Sequence, residues 1–248
     1  MLLSRVRSRA LRCCRPRTPV ANMRGHAELT LRRHGTAPPE VRHALERITS
    51  EARRMSRLVD DLLLLARLDT GRPMEREPVD VTLLILDATA DARAADPAHH
   101  WFLDLPEEPV AIAADAHRLQ QTLGNLLANG RTHKPPGTEV TVALTADRAA
   151  VQVSVSDNGP GIPEEVRPDV FGRFVRADHA RSRGSGSTGL GLAITEAVAT
   201  AHGGRVGVTS RPGHTEFRLA LPRDGDRGET RARSASPRAP DRAHGAGG

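Results

Sequence analysis

Tyrosine is missing from this 248-residue chain, tryptophan occurs once and phenylalanine four times. With aromatics at 2%, any core has to be built from Leu, Val, Ala and Ile. Lysine is nearly missing as well: Lys134 is the only one amid abundant arginine, a bias that reads as genome composition rather than chemistry. Two cysteines, Cys13 and Cys14, stand side by side, which excludes a disulfide framework and a four-ligand cysteine metal site. That usage fits a reducing cytoplasm. Met1 to Leu11 is too short and too interrupted by arginine for a signal peptide or a membrane span, so the expectation is a cytoplasmic chain without a membrane segment. No Walker-type Gly-Lys-Ser/Thr occurs, and no glycine cluster has the order of a Rossmann fingerprint. A hydrophobic share of 38% is low for a globular chain and implies that part of the length is unfolded.

Net charge is +6, which taken alone invites a nucleic-acid reading. The distribution argues against it. Residues 1–17 carry six arginines and no acid, and residues 223–248 carry six arginines against four acids. The span 18–222 is left at −2, slightly acidic. Basic ends of this kind read as solvated tails, and no nucleic-acid partner is expected.

The clearest periodic signal lies between residues 40 and 69. Val41, Leu45, Ile48, Ala52, Met55, Val59, Leu62 and Ala66 follow one another at spacings of four and three, all apolar. Leu58, Leu63 and Leu65 widen the stripe. A preceding helix over 19–34, through Val20, Met23, Ala27 and Leu31, would make a helical hairpin with it, broken by Gly35 to Pro39. Such a hairpin is too thin to bury its own apolar face. A second copy, completing a four-helix bundle, is the expected cover, and packing on the chain's own later domain is the alternative.

Past a linker over 71–79 the pattern turns to mixed helix and strand. A helix is expected over 82–93, and short strands over 101–105 and 110–113. Asp115 is placed to cap a helix through Leu119, Leu123, Leu126 and Leu127. Val140, Val142 and Leu144 alternate as a strand, with Val151, Val153 and Val155 as its hairpin partner. A helix over 191–202 stops at Gly203-Gly204, and a last hairpin carries Val206, Val208, Phe217, Leu219 and Leu221. From Arg223 onward the composition predicts disorder.

Chemistry-bearing residues fall into three groups. Asn125 and Asn129 share one helix face and suit a hydrated Mg²⁺, although paired asparagines are commonly plain surface polars. His133 and Lys134 follow, within reach of a phosphate or of solvent. Asp157-Asn-Gly159-Pro-Gly161 delivers a carboxylate from a strand into a glycine turn. That carboxylate can accept the exocyclic amine of adenine, or it can cap its own turn. Gly189-Leu190-Gly191 opens a helix whose N–H groups face an anion.

In this order the groups resemble the sensor histidine kinases. Asn125-Leu-Leu-Ala-Asn129 is similar to the N box, Asp157 to Ile162 to the first glycine box, Val170-Phe171-Gly-Arg173-Phe174 to the phenylalanine box, and Gly186 to Leu192 to the second glycine box. Thr215-Glu-Phe217 is similar to the end of a third. The resemblance implies an α+β chain: a helical-hairpin dimerisation segment, then an α/β-sandwich ATP-binding domain of the gyrase/Hsp90/histidine kinase/MutL type. The implied division is a basic leader over 1–17, the hairpin over 18–70, a linker over 71–79, the ATP-binding domain over 80–222 and a tail over 223–248.

By the same resemblance the cofactors are ATP and Mg²⁺. Asp157 meets adenine, Asn125 and Asn129 hold the metal, and Gly189 and Gly191 approach the phosphates, with residues 172–188 as the lid. His133, Lys134, Gly159, Gly161, Phe174, Gly186, Thr188, Leu190 and Thr215 complete the nucleotide set. The implied partners are a response-regulator receiver domain and a second copy of the chain, or an intact kinase in a heterodimer. The family's phosphoacceptor box departs here: Cys14-Arg15-Pro16-Arg17-Thr18-Pro19 puts Cys14 where the phosphorylated histidine belongs. Thr18 matches the family position implicated in dephosphorylating the regulator. The expected activity is phosphoryl transfer from ATP to a histidine and on to an aspartate. The alternative is a truncated pseudokinase or gene remnant that binds ATP without autophosphorylation. A serine kinase of the anti-sigma type shares the ATP fold but should lack the long hairpin.

Overall fold

The computed structural model describes residues 21–23, 25–26, 28–30, 38–71, 74–132, 134–175 and 188–223. Helix α1 runs Pro39–Asp69, starting one residue before the expected Glu40. Its ends obey simple rules: proline occupies the first turn, where a missing N–H is harmless, Glu40 sits at the N-terminal end and Arg67 at the C-terminal end. Gly71, at φ +64°, turns the chain away. The described residues between 21 and 30 are helical, and Arg53 of α1 donates to Glu28 at 2.8 Å, so this stretch lies beside α1 as a hairpin requires.

Most of the remaining chain forms a two-layer sandwich. Its elements are β1 (Glu77–Asp80), α2 (Val81–Ala95), β2 (His100–Asp104), β3 (Ala111–Ala114), α3 (Ala116–Arg131), β4 (Glu139–Ala146), β5 (Ala150–Asp157), α4 (Gly191–Ala201), β6 (Arg205–Arg211) and β7 (His214–Pro222). Five strands form one sheet in the order β2-β4-β5-β7-β6, with β2 parallel to β4 and every other pair antiparallel. Alternation decides which face is buried. Val140, Val142 and Leu144 of β4, Val151, Val153 and Val155 of β5, and Phe217, Leu219 and Leu221 of β7 all point into one core. Ile85 of α2, Leu119, Leu123, Leu126 and Leu127 of α3, and Ala199 of α4 cover that face.

One expectation needs correcting. Residues 71–79 are not a linker throughout: Glu77–Asp80 is a strand that pairs antiparallel with β3 in a separate two-stranded sheet. Val79 and Ile112, opposite each other in that pair, both belong to the sandwich core. Pro78 is tolerated in β1 because a two-stranded sheet has only edge strands.

The stripe on α1 is divided between two fates. Leu64 and Leu65 pack with Leu190, Ile194 and Val198 of the α4 region, with Leu58, Leu68 and Met74 around them, so the C-terminal end of α1 packs on the later domain. Val41, Ile48 and Met55 remain about half exposed, at 47%, 50% and 49%. Among the described residues no helix is long and apolar enough to cross a membrane.

Candidate functional site

Asp157 ends β5, the central strand of the five-stranded sheet. Its side chain is buried and its Oδ1 accepts from the Gly159 N–H at 3.0 Å, so the carboxylate does cap its own turn. The turn is tied down on both sides. Asn158 exchanges bonds with Glu139 at the start of β4, and the Gly213 N–H donates to the Gly159 carbonyl at 2.9 Å. Thr215 lies directly opposite Asp157 on β7 and is fully buried. The Thr215 and Ser210 hydroxyls are 2.9 Å apart, and Ser210 Oγ accepts from the Ile162 N–H at 2.8 Å. Asp157, Thr215 and Ser210 therefore form a polar row at one end of an otherwise apolar sheet face.

Lys134 lies elsewhere than a phosphate-facing role implies. Its ammonium donates to Asp157 Oδ1 at 2.6 Å, with both side chains nearly buried. The stem crosses Gly159: a Cβ there would stand 2.7 Å from Lys134 Cδ. Gly161, at φ +87°, lets the backbone of Arg211 and Pro212 pass at 2.9 and 3.1 Å from where a Cβ would be. These glycines, expected to admit a ligand, are spent in this state on close approach of the chain to itself.

At the other end of the site, α3 and α4 meet. The Asn125 Nδ2 donates to the Gly191 carbonyl at 2.9 Å, and a Cβ on Gly191 would sit 3.2 Å from the Asn125 amide. Asn129, one turn further along α3, is half-buried on the same face. With Nδ2 committed to Gly191, Asn125 keeps its oxygen as an acceptor, the donor type that a partly hydrated Mg²⁺ takes. Among the described residues no cluster of three or more His, Cys, Asp or Glu could hold a metal.

Phe174 and Gly189 are joined by a bond from the Phe174 N–H to the Gly189 carbonyl at 2.8 Å. Both have positive φ, +63° and +70°, and Phe174 is the single non-glycine residue in that region among those described. Its ring is exposed. Thr188 is half-buried beside Gly189. The Leu190 side chain is completely buried against Leu64 and Leu65, so only its backbone can serve a ligand. Cys14, Thr18, His133 and Gly186 lie outside the described residues.

A residue that sequence reasoning passed over sets the relation between α3 and α4. Buried His202, just past α4, donates from Nδ1 to the Val198 carbonyl at 2.8 Å and accepts at Nε2 from the Asp115 N–H at 3.1 Å. Asp115 in turn caps α3, accepting from the Arg118 N–H at 3.0 Å as the sequence implies. Burial holds the His202 pKa below its ordinary value, which fits a neutral ring with one donor and one acceptor nitrogen. The only sequence signal was a histidine at the helix stop before Gly203.

Comparison with known proteins decides the family. Residues 17–71 match the His Kinase A phospho-acceptor domain, and residues 114–225 match the histidine kinase-, DNA gyrase B- and HSP90-like ATPase domain. The probable sensor histidine kinase TcrY of Mycobacterium tuberculosis is 56% identical over 209 residues, which are 84% of this chain and 44% of that protein. A solved structure of the mycobacterial sensor histidine kinase MprB is 33% identical with a TM-score of 0.53, covering 59% of this chain and 97% of that one. The chain belongs to the sensor histidine kinases. The kinase ShkA, solved in complex with AMPPNP, matches over 86% of this chain and 44% of its own, with TM-score 0.71 and 28% identity. This kinase core spans less than half the length of the curated relatives it matches.

Proposed function

We propose that this chain is the ATP-using core of a two-component histidine kinase, and that residues 80–222 bind Mg-ATP. The observation that carries the reading is the buried Asp157, opposite Thr215 at the end of a sheet whose covering helices bring Asn125 against Gly191. In this reading Asp157 and Thr215 take the adenine, and Gly159 and Gly161 shape that end. Gly189, Leu190 through its backbone, Gly191 and Thr188 face the phosphates. Asn125 and Asn129 offer amide oxygens to Mg²⁺, which when bound neutralises developing charge on the phosphates. Phosphoryl transfer moves the γ-phosphoryl group to an imidazole nitrogen, releasing ADP, and then to a receiver-domain aspartate. The protein's share in the first step is positioning and electrostatics.

The exposed Val41, Ile48 and Met55 fit a four-helix bundle formed with a second copy or an intact kinase. Cytoplasmic residence accords with this chemistry.

The acceptor side carries a specific consequence. Cys14 stands where the family's phosphorylated histidine belongs. The chain is therefore expected to bind Mg-ATP without labelling itself on histidine. Incubation with γ-labelled ATP, followed by acid treatment, tests this: acid-labile label on the purified chain contradicts it, and bound nucleotide without such label agrees.

A further inference from the structure

We propose that Lys134 makes the base end of this site permissive, so that it takes 6-oxopurine nucleotides such as GTP as well as ATP. The proposal rests on the reading of Asp157 as the base-recognising carboxylate.

The argument is one of donors and acceptors. An ionised carboxylate only accepts hydrogen bonds, and an ammonium only donates them. A lone Asp157 suits the 6-amino group of adenine, which donates. It opposes the 6-oxo group of guanine or hypoxanthine, where acceptor would meet acceptor. Sites that pair one polar edge reject the mismatched one strongly, because a buried group is left without a partner.

Asp157 is not alone. Lys134 Nζ stands 2.6 Å from its Oδ1, and the two side chains are 10% and 2% exposed. One N–H of the ammonium is spent on Asp157, and among the described residues the other two have no protein acceptor. The stem is held over Gly159, where a Cβ would stand 2.7 Å from Lys134 Cδ and 3.1 Å from Nζ, so the glycine turn keeps the amine at the carboxylate. The pair thus presents a donor beside an acceptor. Adenine can place its amino group on Asp157 and N1 on Lys134. A 6-oxopurine can place its oxygen on Lys134 and its N1–H on Asp157. Either edge is fully paired, and the discrimination a bare carboxylate enforces is lost.

Competition against trinitrophenyl-ATP with Mg²⁺ present tests this on the full chain. The wild type should give displacement constants for ATP and GTP within about tenfold of each other. Lys134→Met should shift their ratio toward ATP by about tenfold or more, the worth of one charged hydrogen bond in a buried site. Lys134→Ala, a smaller side chain to use if the methionine variant does not fold, also removes the donor and should shift the ratio the same way. A lysine that merely locks the turn would move both constants together and leave the ratio unchanged, which overturns the proposal. So does a wild type that binds ATP and ignores GTP. If the wild type binds neither nucleotide, the ATP-site reading falls first and takes this inference with it.

Discussion

In the sandwich, the large side chains of β4, β5, β7 and α3 that the period of two or of 3.6 points inward are all buried within the same chain. On α1 the same kind of stripe buries Ala52 but leaves Val41, Ile48 and Met55 about half exposed, while its last turns find cover under Leu190, Ile194 and Val198. The sandwich completes its core alone; α1 completes part of its face on the sandwich and holds the rest ready for another helix pair. The proposed nucleotide domain and the proposed dimerisation helix have these different needs.

The sharpest way to break the comparison is to damage each region and measure both. Leu126→Ala removes a side chain with no exposure at the centre of α3, and should cost the sandwich about 2–5 kcal/mol by thermal or urea melting. A loss below about 1 kcal/mol would show that α3 is not part of a tight core. Ile48→Lys combined with Met55→Lys should leave that melting nearly unchanged, yet raise the dissociation constant of the dimer by at least about tenfold in sedimentation. An unchanged assembly mass would mean that the exposed stripe has no partner helix.

How much of this was legible follows from the range of the interactions. The stripe on α1, the Asp115 cap and the hairpins β4-β5 and β6-β7 are local patterns, readable to within about three residues. β1 and its pairing with β3 were missed because the partners are over thirty residues apart and Pro78 argued for a linker. The parallel pairing of β2 with β4 is likewise non-local and leaves no periodic trace. For the proposed site, the boxes name Asp157, Asn125 and Gly191, but not what they touch. That Lys134 crosses a glycine turn to reach Asp157, or that Leu190 points at α1 rather than at a ligand, is decided by packing between segments.

A smaller effect tests the joint between α3 and α4. His202 takes up its proton in the native state at a pH below its ordinary value of 6.5, because burial opposes the charge. The unfolded chain takes up that proton near 6.5, so the contribution of His202 is whole above that pH and is lost as pH falls through the depressed native value. Stability measured from pH 8 to pH 5 should therefore decline more steeply in the wild type than in His202→Gln. Parallel profiles would remove His202 as the cause.

The central claim, that the buried carboxylate at the end of β5 is the base-recognising group of an ATP site, is tested most directly by calorimetric titration of Mg-ATP. The wild type and Asp157→Asn should both be titrated, each first shown to be folded by its far-ultraviolet spectrum. The account predicts one site per chain in the wild type and an affinity about ten- to a hundredfold weaker in the variant, the worth of a hydrogen bond to a charged group. Equal affinities, or no binding to the folded wild type, would contradict it.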